Sequence, residues 1–180
     1  PYDCGFKVTT YGAANSVDGF DTNCGDGNHA KAHPQDPLVP ITGNNPNDTS
    51  VAIDPTFVTG WINHLVGRYG SAANGGVAYY NLDNEPGLWN STHRDVHPVG
   101  LSFDELRDRT WLYAAAIKAA DPTAKTLGPA EWGWCSYIYS PADPGGCGPG
   151  MDRTTHGDIP TVVYYLQQMN LYQQQHGVRI

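Results

Sequence analysis

The segment Tyr80-Asn81-Leu82-Asp83-Asn84-Glu85-Pro86 concentrates the groups best able to do chemistry. An acid, an amide and a second acid follow an apolar run, and a proline stops it. A carboxyl group can give a proton to a leaving oxygen and, once ionised, activate water. Glu85 is therefore the first candidate for a catalytic carboxylate. The alternative is a strand-end Glu that pairs with an Arg. A further acid, Glu131, lies between Gly128-Pro129-Ala130 and Trp132-Gly133-Trp134. An active-site hydrogen-bonding role suits it, against a solvated loop acid or a second catalytic carboxylate. Trp89, Trp132 and Trp134 offer flat faces that can stack on sugar rings or simply pack. His93 and His97 are four apart, which on a helix would suit zinc. Here Pro98 follows them and no His-Glu-x-x-His pattern exists, so cleft contacts or loop hydrogen bonds are expected, with a metal-dependent hydrolase as an alternative.

These residues need elements to hold them. Val77-Ala78-Tyr79-Tyr80 reads as a strand running to Leu82, and Pro86 cannot continue the ladder. In barrels of alternating strands and helices, the C-terminal strand tips carry the active site. Before the strand, Asp54 as N-cap and Pro55 at the first helical position open a helix. Phe57, Val58, Trp61, Ile62, Leu65, Val66 and Tyr69 recur along it at helical spacing, and Gly70 ends it. Gly87 to Gly100 is a loop. Ser102-Phe103-Asp104-Glu105 is a capping box for a second helix with Phe103, Leu106, Tyr113, Ile117 and Ala120 on its apolar face. Lys125-Thr126-Leu127 reads as a short strand, and an aromatic, Gly-rich loop runs to about Gly157. Asp158 is expected to cap a third helix with Val162, Val163, Leu166, Met169 and Leu171 facing inward, and Val178 to begin another strand.

The order is loop–α–β–loop–α–β–loop–α–β. Long loops after strands and short turns after helices mark one functional face, so the expected fold class is α/β, a (β/α)8 barrel. A doubly wound sheet alternates in the same way. However, neither G-x-G-x-x-G nor a phosphate-binding G-x-x-x-x-G-K-[ST] is present, so nucleotide binding has no support.

Bulk composition narrows the partners. The 180 residues suffice for one domain, and the net charge of −8 comes with no basic stripe, which argues against nucleic acid. No run of about 18 apolar residues occurs, so no membrane-spanning helix is expected. Cys4 with Cys24 and Cys135 with Cys147 bracket loop-like segments without a Cys-x-x-Cys pair. Two loop-stapling disulfides of an exported protein are the preferred reading, and free thiols of a cytosolic one the alternative. Asp18, Asp21 and Asp26, with Asn23 and Asn28, could cradle a structural calcium or form turns; their spacing is not that of an EF-hand loop. Asn47-Asp48-Thr49 and Asn90-Ser91-Thr92 match glycosylation sequons. The chain lacks an initiator Met and stops where a strand begins, so it reads as a fragment of a single longer domain.

The run Leu82-Asp83-Asn84-Glu85-Pro86-Gly87-Leu88-Trp89-Asn90-Ser91-Thr92-His93-Arg94-Asp95-Val96-His97-Pro98 resembles glycoside hydrolase family 44. The similarity extends through Trp61 to Gly70 and Gly128 to Trp134. That family holds endo-acting β-1,4-glucanases and xyloglucanases. The resemblance implies a partial (β/α)8 barrel, from the loop after strand three to the start of strand six. It makes Glu85 the general acid/base of a retaining mechanism, at the end of strand four, and puts the nucleophilic Glu after strand seven, beyond this chain. The isolated fragment is then expected to be inactive. Retaining hydrolysis sets two carboxyls about 5–5.5 Å apart. Asn84, Trp89, His93, His97, Glu131, Trp132 and Trp134 become the candidate substrate contacts. Strand alternation puts Asp83 on the face opposite Asn84, as structural support expected to pair with an Arg. The implied substrates are cellulose, carboxymethylcellulose or xyloglucan outside the cell, with no required cofactor. A non-catalytic carbohydrate-binding remnant is the second reading.

Overall fold

The computed structural model describes residues 4–180, which fall in two compact units, Pro1–Ala52 and Ile53–Ile180. The first is irregular, as its Gly, Asn, Asp and Pro content dictates. Helix α1, Val8–Tyr11, is a single turn. Isolated antiparallel bridges join Lys7 to Cys24, Ala14 to His29, Val17 to Gly25 and Asn28 to Pro40. A Cys4–Cys24 disulfide closes the segment, and Cys24 and Ile41 are its buried apolar residues. The aspartates shape turns. Asp18 Oδ1 accepts the N–H groups of Phe20 and Asp21 at 2.8 and 2.9 Å, Asp21 Oδ1 that of Asn23 at 3.0 Å, and Asp26 Oδ1 that of Asn28 at 3.1 Å. Among the described residues these three carboxylates do not converge. The ligand-type atoms that do converge belong to Cys4, Asp21 and Cys24, and both sulfurs are already bonded to each other. The geometry here is that of turns rather than of an ion cradle.

The second unit carries the regular structure. Helix α2, Pro55–Tyr69, starts where Asp54 accepts the Phe57 N–H at 3.0 Å and stops at Gly70, whose φ is 87°. Strand β1 is Tyr79–Asn81. The loop after it contains a short helix α3, Trp89–Thr92. Helix α4, Phe103–Ala120, is capped by Ser102, whose Oγ accepts the Glu105 N–H at 3.2 Å. Strand β2 is Lys125–Leu127, and α5, Gly133–Ile138, α6, Met151–Thr155, and α7, Thr161–His176, follow. The two strands pair in parallel with Tyr80 opposite Thr126, and α4 is the crossover such a pair needs. Ile62, Tyr80, Ile117 and Ala124 form the buried core, with Val58, Leu65, Val66, Val77, Leu82 and Ala120 against it. Thus α2 and α4 cover one face of the sheet. Tyr79, on the other face, is 54% exposed.

Four expectations change. The aromatic loop before Gly157 contains two short helices, α5 and α6. Asp158 does not cap α7; it sits at φ 54° and pairs with Arg153 Nε at 3.0 Å, while α7 begins after Pro160. That helix buries Thr161 and Tyr164, whereas Val162, Val163 and Leu166 are exposed. Aromatic contacts set this orientation: Tyr164 stacks on Phe103 at 5.0 Å and donates to Asp104 at 2.9 Å, and Trp111 donates to the Gln168 carbonyl at 3.3 Å. Finally, Val178 starts no strand among the described residues.

Two polar groups, one buried and one half-buried, fix this unit. Asp121, 2% exposed, accepts the Ala72 N–H at 2.7 Å, the Thr123 N–H at 3.0 Å and the Thr123 hydroxyl at 2.6 Å. Burial opposes its ionisation, but the Thr123 hydroxyl and these N–H donors prevail and hold the carboxyl below its ordinary value. His156 lies between Phe103 and Tyr164, with Asp104 Oδ1 3.2 Å from Nε2 and Asp152 Oδ1 3.4 Å from Nδ1. Burial alone would discharge it. The Asp152 carbonyl and the two carboxylates reverse that and raise its pKa above 6.5.

Asp121→Ala should destabilise the unit by about 2–3 kcal/mol, because it orphans buried donors; urea unfolding at pH 7 measures it, with an unchanged midpoint as the contrary result. His156→Gln should remove a pH-dependent contribution. Because the folded-state pKa is raised, that contribution is complete below pH 6.5 and lost as pH rises through the folded value. Unfolding midpoints taken across that range should therefore vary less in the variant than in the parent.

Candidate active site

The two strand tips stay paired beyond the regular ladder. Leu82 N–H donates to Leu127 at 3.0 Å, Ala130 N–H to Asp83 at 3.3 Å, and Glu85 N–H to Ala130 at 2.5 Å. Asn84 faces Ala130 in a parallel bridge. Glu85 and Glu131 each stand one residue past that bridge, at neighbouring C-terminal tips.

The β1 tip is strained. Asp83 has φ 78° and Glu85 has φ 54°, a left-handed backbone that non-glycine residues seldom adopt. It costs roughly 1–2 kcal/mol per residue, and such outliers cluster at functional sites. Asp83 Oδ1 accepts the Asn84 N–H at 2.6 Å, and its carbonyl accepts Asn81 Nδ2 at 2.6 Å. Asp83 is thus a turn former; among the described residues no Arg pairs with it, contrary to expectation. Beyond Glu85, Pro86–Leu88 makes a 3-10 turn closed by Leu88 N–H on the Glu85 carbonyl at 2.9 Å. Glu85 itself is half-buried and Asn84 exposed.

Glu131 is half-buried. Its Oε2 is buried with no hydrogen-bond partner among the described residues, and Gly87 approaches it closely. Burial, only partly offset by Gly87, pushes its pKa up to about 7. Glycine at position 87 allows this close approach: a Cβ there would lie 2.6 Å from Ser136 Oγ and 3.2 Å from Glu131 Oε2. Trp132 and Trp134, at the start of α5, are 59% and 77% exposed. The Cys135–Cys147 disulfide ties this helix to the loop after it.

The loop after Glu85 is latched to α4. His97 Nε2 lies 2.9 Å from Glu105 Oε1, which also accepts Arg109 Nε at 2.7 Å. The Trp89 ring meets His97 edge-on at 5.2 Å, and Arg109 lies over it at 5.4 Å. Trp89 and His97 are therefore held in packing contacts on α4. His93 is exposed, its Nδ1 2.8 Å from Thr92 Oγ1. Among the described residues neither histidine belongs to a converging set of metal-ligand atoms.

Glycoside hydrolase family 44 matches the chain over residues 2–180. The chain belongs to glycoside hydrolase family 44. Endoglucanase A of Paenibacillus lautus is 36% identical over 135 residues, which are 74% of this chain and 18% of that protein. The crystal structure of CelM2, a bifunctional glucanase-xylanase from a metagenome library, is 41% identical with a TM-score of 0.82. The match covers 97% of this chain and 34% of CelM2. The family 44 xyloglucanase of Paenibacillus polymyxa superposes with a TM-score of 0.60 at 36% identity, over 68% of this chain and 23% of its own. The family 44 chain described here thus shares an α/β glycosidase fold and spans about a third or less of these relatives.

Within this family 44 chain the fold gathers Asn84, Glu85 and Glu131 around Gly87, with Trp132 and Trp134 next in sequence to Glu131. Sequence reasoning passed over Gly87 and Ser136, because a close approach leaves no local signal. It also passed over Arg109, although its i,i+4 spacing from Glu105 was readable. Glu105→Ala should free both His97 and Arg109 and lower stability by about 1–3 kcal/mol. Thermal unfolding and faster hydrogen exchange across residues 89–98 would show it; unchanged exchange there would refute the latch.

Proposed function

We propose that this chain is part of the catalytic domain of a retaining, endo-acting glycoside hydrolase that cleaves β-1,4-glucans such as cellulose, carboxymethylcellulose or xyloglucan. Glu85 is its general acid/base. The observation that carries the reading is Glu85 in a left-handed turn at the C-terminal tip of a parallel strand, its N–H fixed on Ala130 at 2.5 Å. In that role it protonates the leaving oxygen and then, ionised, activates water. Asn84, exposed beside it, offers an amide to a sugar hydroxyl near the reacting carbon. Trp132 and Trp134 present open rings for stacking. His93 is an exposed polar contact at the rim, while Trp89 and His97 shape the loop from behind.

The partner carboxylate must be ionised to act as nucleophile. Glu131, with its pKa at about 7, is largely neutral below that pH and is unsuited to the task. The nucleophile is assigned to another segment of a complete (β/α)8 barrel, so these 180 residues alone should not turn over. The described relatives, an endoglucanase, a glucanase-xylanase and a xyloglucanase, support the substrate class. Two disulfides support an extracellular setting.

Glu85→Gln in the protein at its native length should lower kcat on carboxymethylcellulose by about a thousandfold. It should lower kcat/KM much less on an aryl cellobioside, whose leaving group needs no proton in the first step. Near-native release of reducing ends by the variant would refute the assignment. Glucan binding by the parent protein without any release would favour the carbohydrate-binding remnant, and loss of activity to a strong chelator would favour metal chemistry.

A further inference from the structure

We propose that His156 is a pH-gated clasp: as an imidazolium it docks the loop between β2 and α7 onto α4, and this docking favours glucan binding at the Trp134 face of α5. This rests on Trp132 and Trp134 meeting substrate, as in the reading above.

The geometry around the ring asks for two protons. Nδ1 lies 2.6 Å from the Asp152 carbonyl, and Nε2 lies 3.2 Å from Asp104 Oδ1. A carbonyl and a carboxylate both accept, so only an imidazolium, donating from both nitrogens, satisfies the pair. A neutral ring that keeps its Nδ1–H turns a lone pair toward Asp104. The charged and titratable neighbours come from three helices. On α4, Arg107 donates to Asp104 and, at 3.1 Å, to the Tyr164 hydroxyl. On α7, Tyr164 donates to Asp104 at 2.9 Å, with its ring 4.9 Å from that of His156. On α6, Asp152 Oδ1 stands 3.4 Å from Nδ1, while Arg153 is taken up by Asp158 and the Tyr139 ring.

Asp152 carries the clasp to α5. Its Oδ2 accepts the Phe103 N–H at 2.9 Å, at the start of α4, and the hydroxyl of Ser140. Ser140 is fully buried, two residues past the end of α5. The Cys135–Cys147 disulfide ties α5 to the same loop, and the Thr161 hydroxyl on the Tyr139 carbonyl at 2.8 Å ties its end to α7. Asp143, 4% exposed, accepts the Asp152 and Arg153 N–H groups at 2.8 and 3.2 Å, so loop and α6 hold together. In a βαβ unit the strand C-termini and the following helix N-termini share one end. The clasp, at the starts of α4 and α7, therefore sits at the end that carries Glu85.

Burial alone would discharge His156, but the Asp152 carbonyl and the two carboxylates raise its pKa above 6.5. The clasp is complete below pH 6.5 and is lost as pH rises through the folded-state value. The Phe103 and Thr161 bonds do not titrate, so the loop loosens without detaching and the effect on affinity is graded.

The experiment uses Glu85→Gln protein at its native length, which removes turnover, and follows cellohexaose affinity by calorimetry from about pH 5.5 to about pH 8. Affinity should fall by about fivefold or more across that range. By linkage, saturating cellohexaose should raise the His156 midpoint, read by NMR of isotope-labelled imidazoles, by on the order of 0.7 pH unit. Asp104→Asn in the same background removes the counter-charge and should move the fall down by about one pH unit or more. His156→Gln should abolish it. Glu131 titrates in the same range, so Glu131→Gln is measured as well, and the fall should survive there. A pH-independent affinity, a fall that persists in His156→Gln or vanishes in Glu131→Gln, or a His156 midpoint unmoved by cellohexaose would overturn the clasp alone. If His156→Gln does not fold, the Asp104→Asn shift and the ligand-shifted midpoint decide, and an unmoved value of either refutes the clasp. No cellohexaose binding at any pH would overturn the reading of Trp132 and Trp134 along with it.

Discussion

The hydrogen bond from Glu85 N–H to the Ala130 carbonyl joins the two strand tips, and the candidate site depends on it. Each strand is only three residues long, too short to aim a side chain alone. What holds them is the layer behind: Ile62 of α2 and Ile117 of α4 close over Tyr80, and the buried Asp121 clips Ala72 to Thr123 below the strands. With that base rigid, the pairing runs on through Asn84 and Ala130. Two left-handed residues can then persist at the tip without unravelling it. The surrounding structure over-determines them, the usual condition for stored backbone strain.

Environment rather than residue type divides the work of the acids in the second unit. Asp121 is buried with three donors and stays ionised. Glu131 has one buried oxygen without a hydrogen-bond partner among the described residues, and burial pushes its pKa up to about 7. Asp104 and Asp152 spend their charge on His156, which links α4 to α6 under the Tyr164 ring. The same carboxyl group thus serves as anchor or counter-ion, or is pushed toward its neutral form, according to how many donors the fold brings to it.

Much of this was legible in sequence wherever the signal is local. Asp54-Pro55 and Ser102-x-x-Glu105 are caps whose hydrogen bonds close within one turn, and both helices start there. Lys125–Leu127 was read correctly as a strand, and the cysteine pairs formed as expected. The misreadings are tertiary. Val162, Val163 and Leu166 are apolar at helical spacing, yet α7 turns Tyr164 inward, because Phe103, Asp104 and Arg107 satisfy both its ring and its hydroxyl. Asp158 has the composition of a cap, but Arg153 holds it elsewhere.

The sequence by itself determined the chemistry available: an Asn-Glu-Pro turn after a strand, a second acid after another strand, and tryptophans beside it. It did so because capping, strand ending and proline chemistry act over a few residues. Only the tertiary structure decided which acid carries a buried, unpartnered oxygen. Glu85 and Glu131 are both glutamates at strand tips. Gly87, distant in sequence, lies close to Glu131 Oε2 and Ser136 Oγ, and no local pattern encodes that approach.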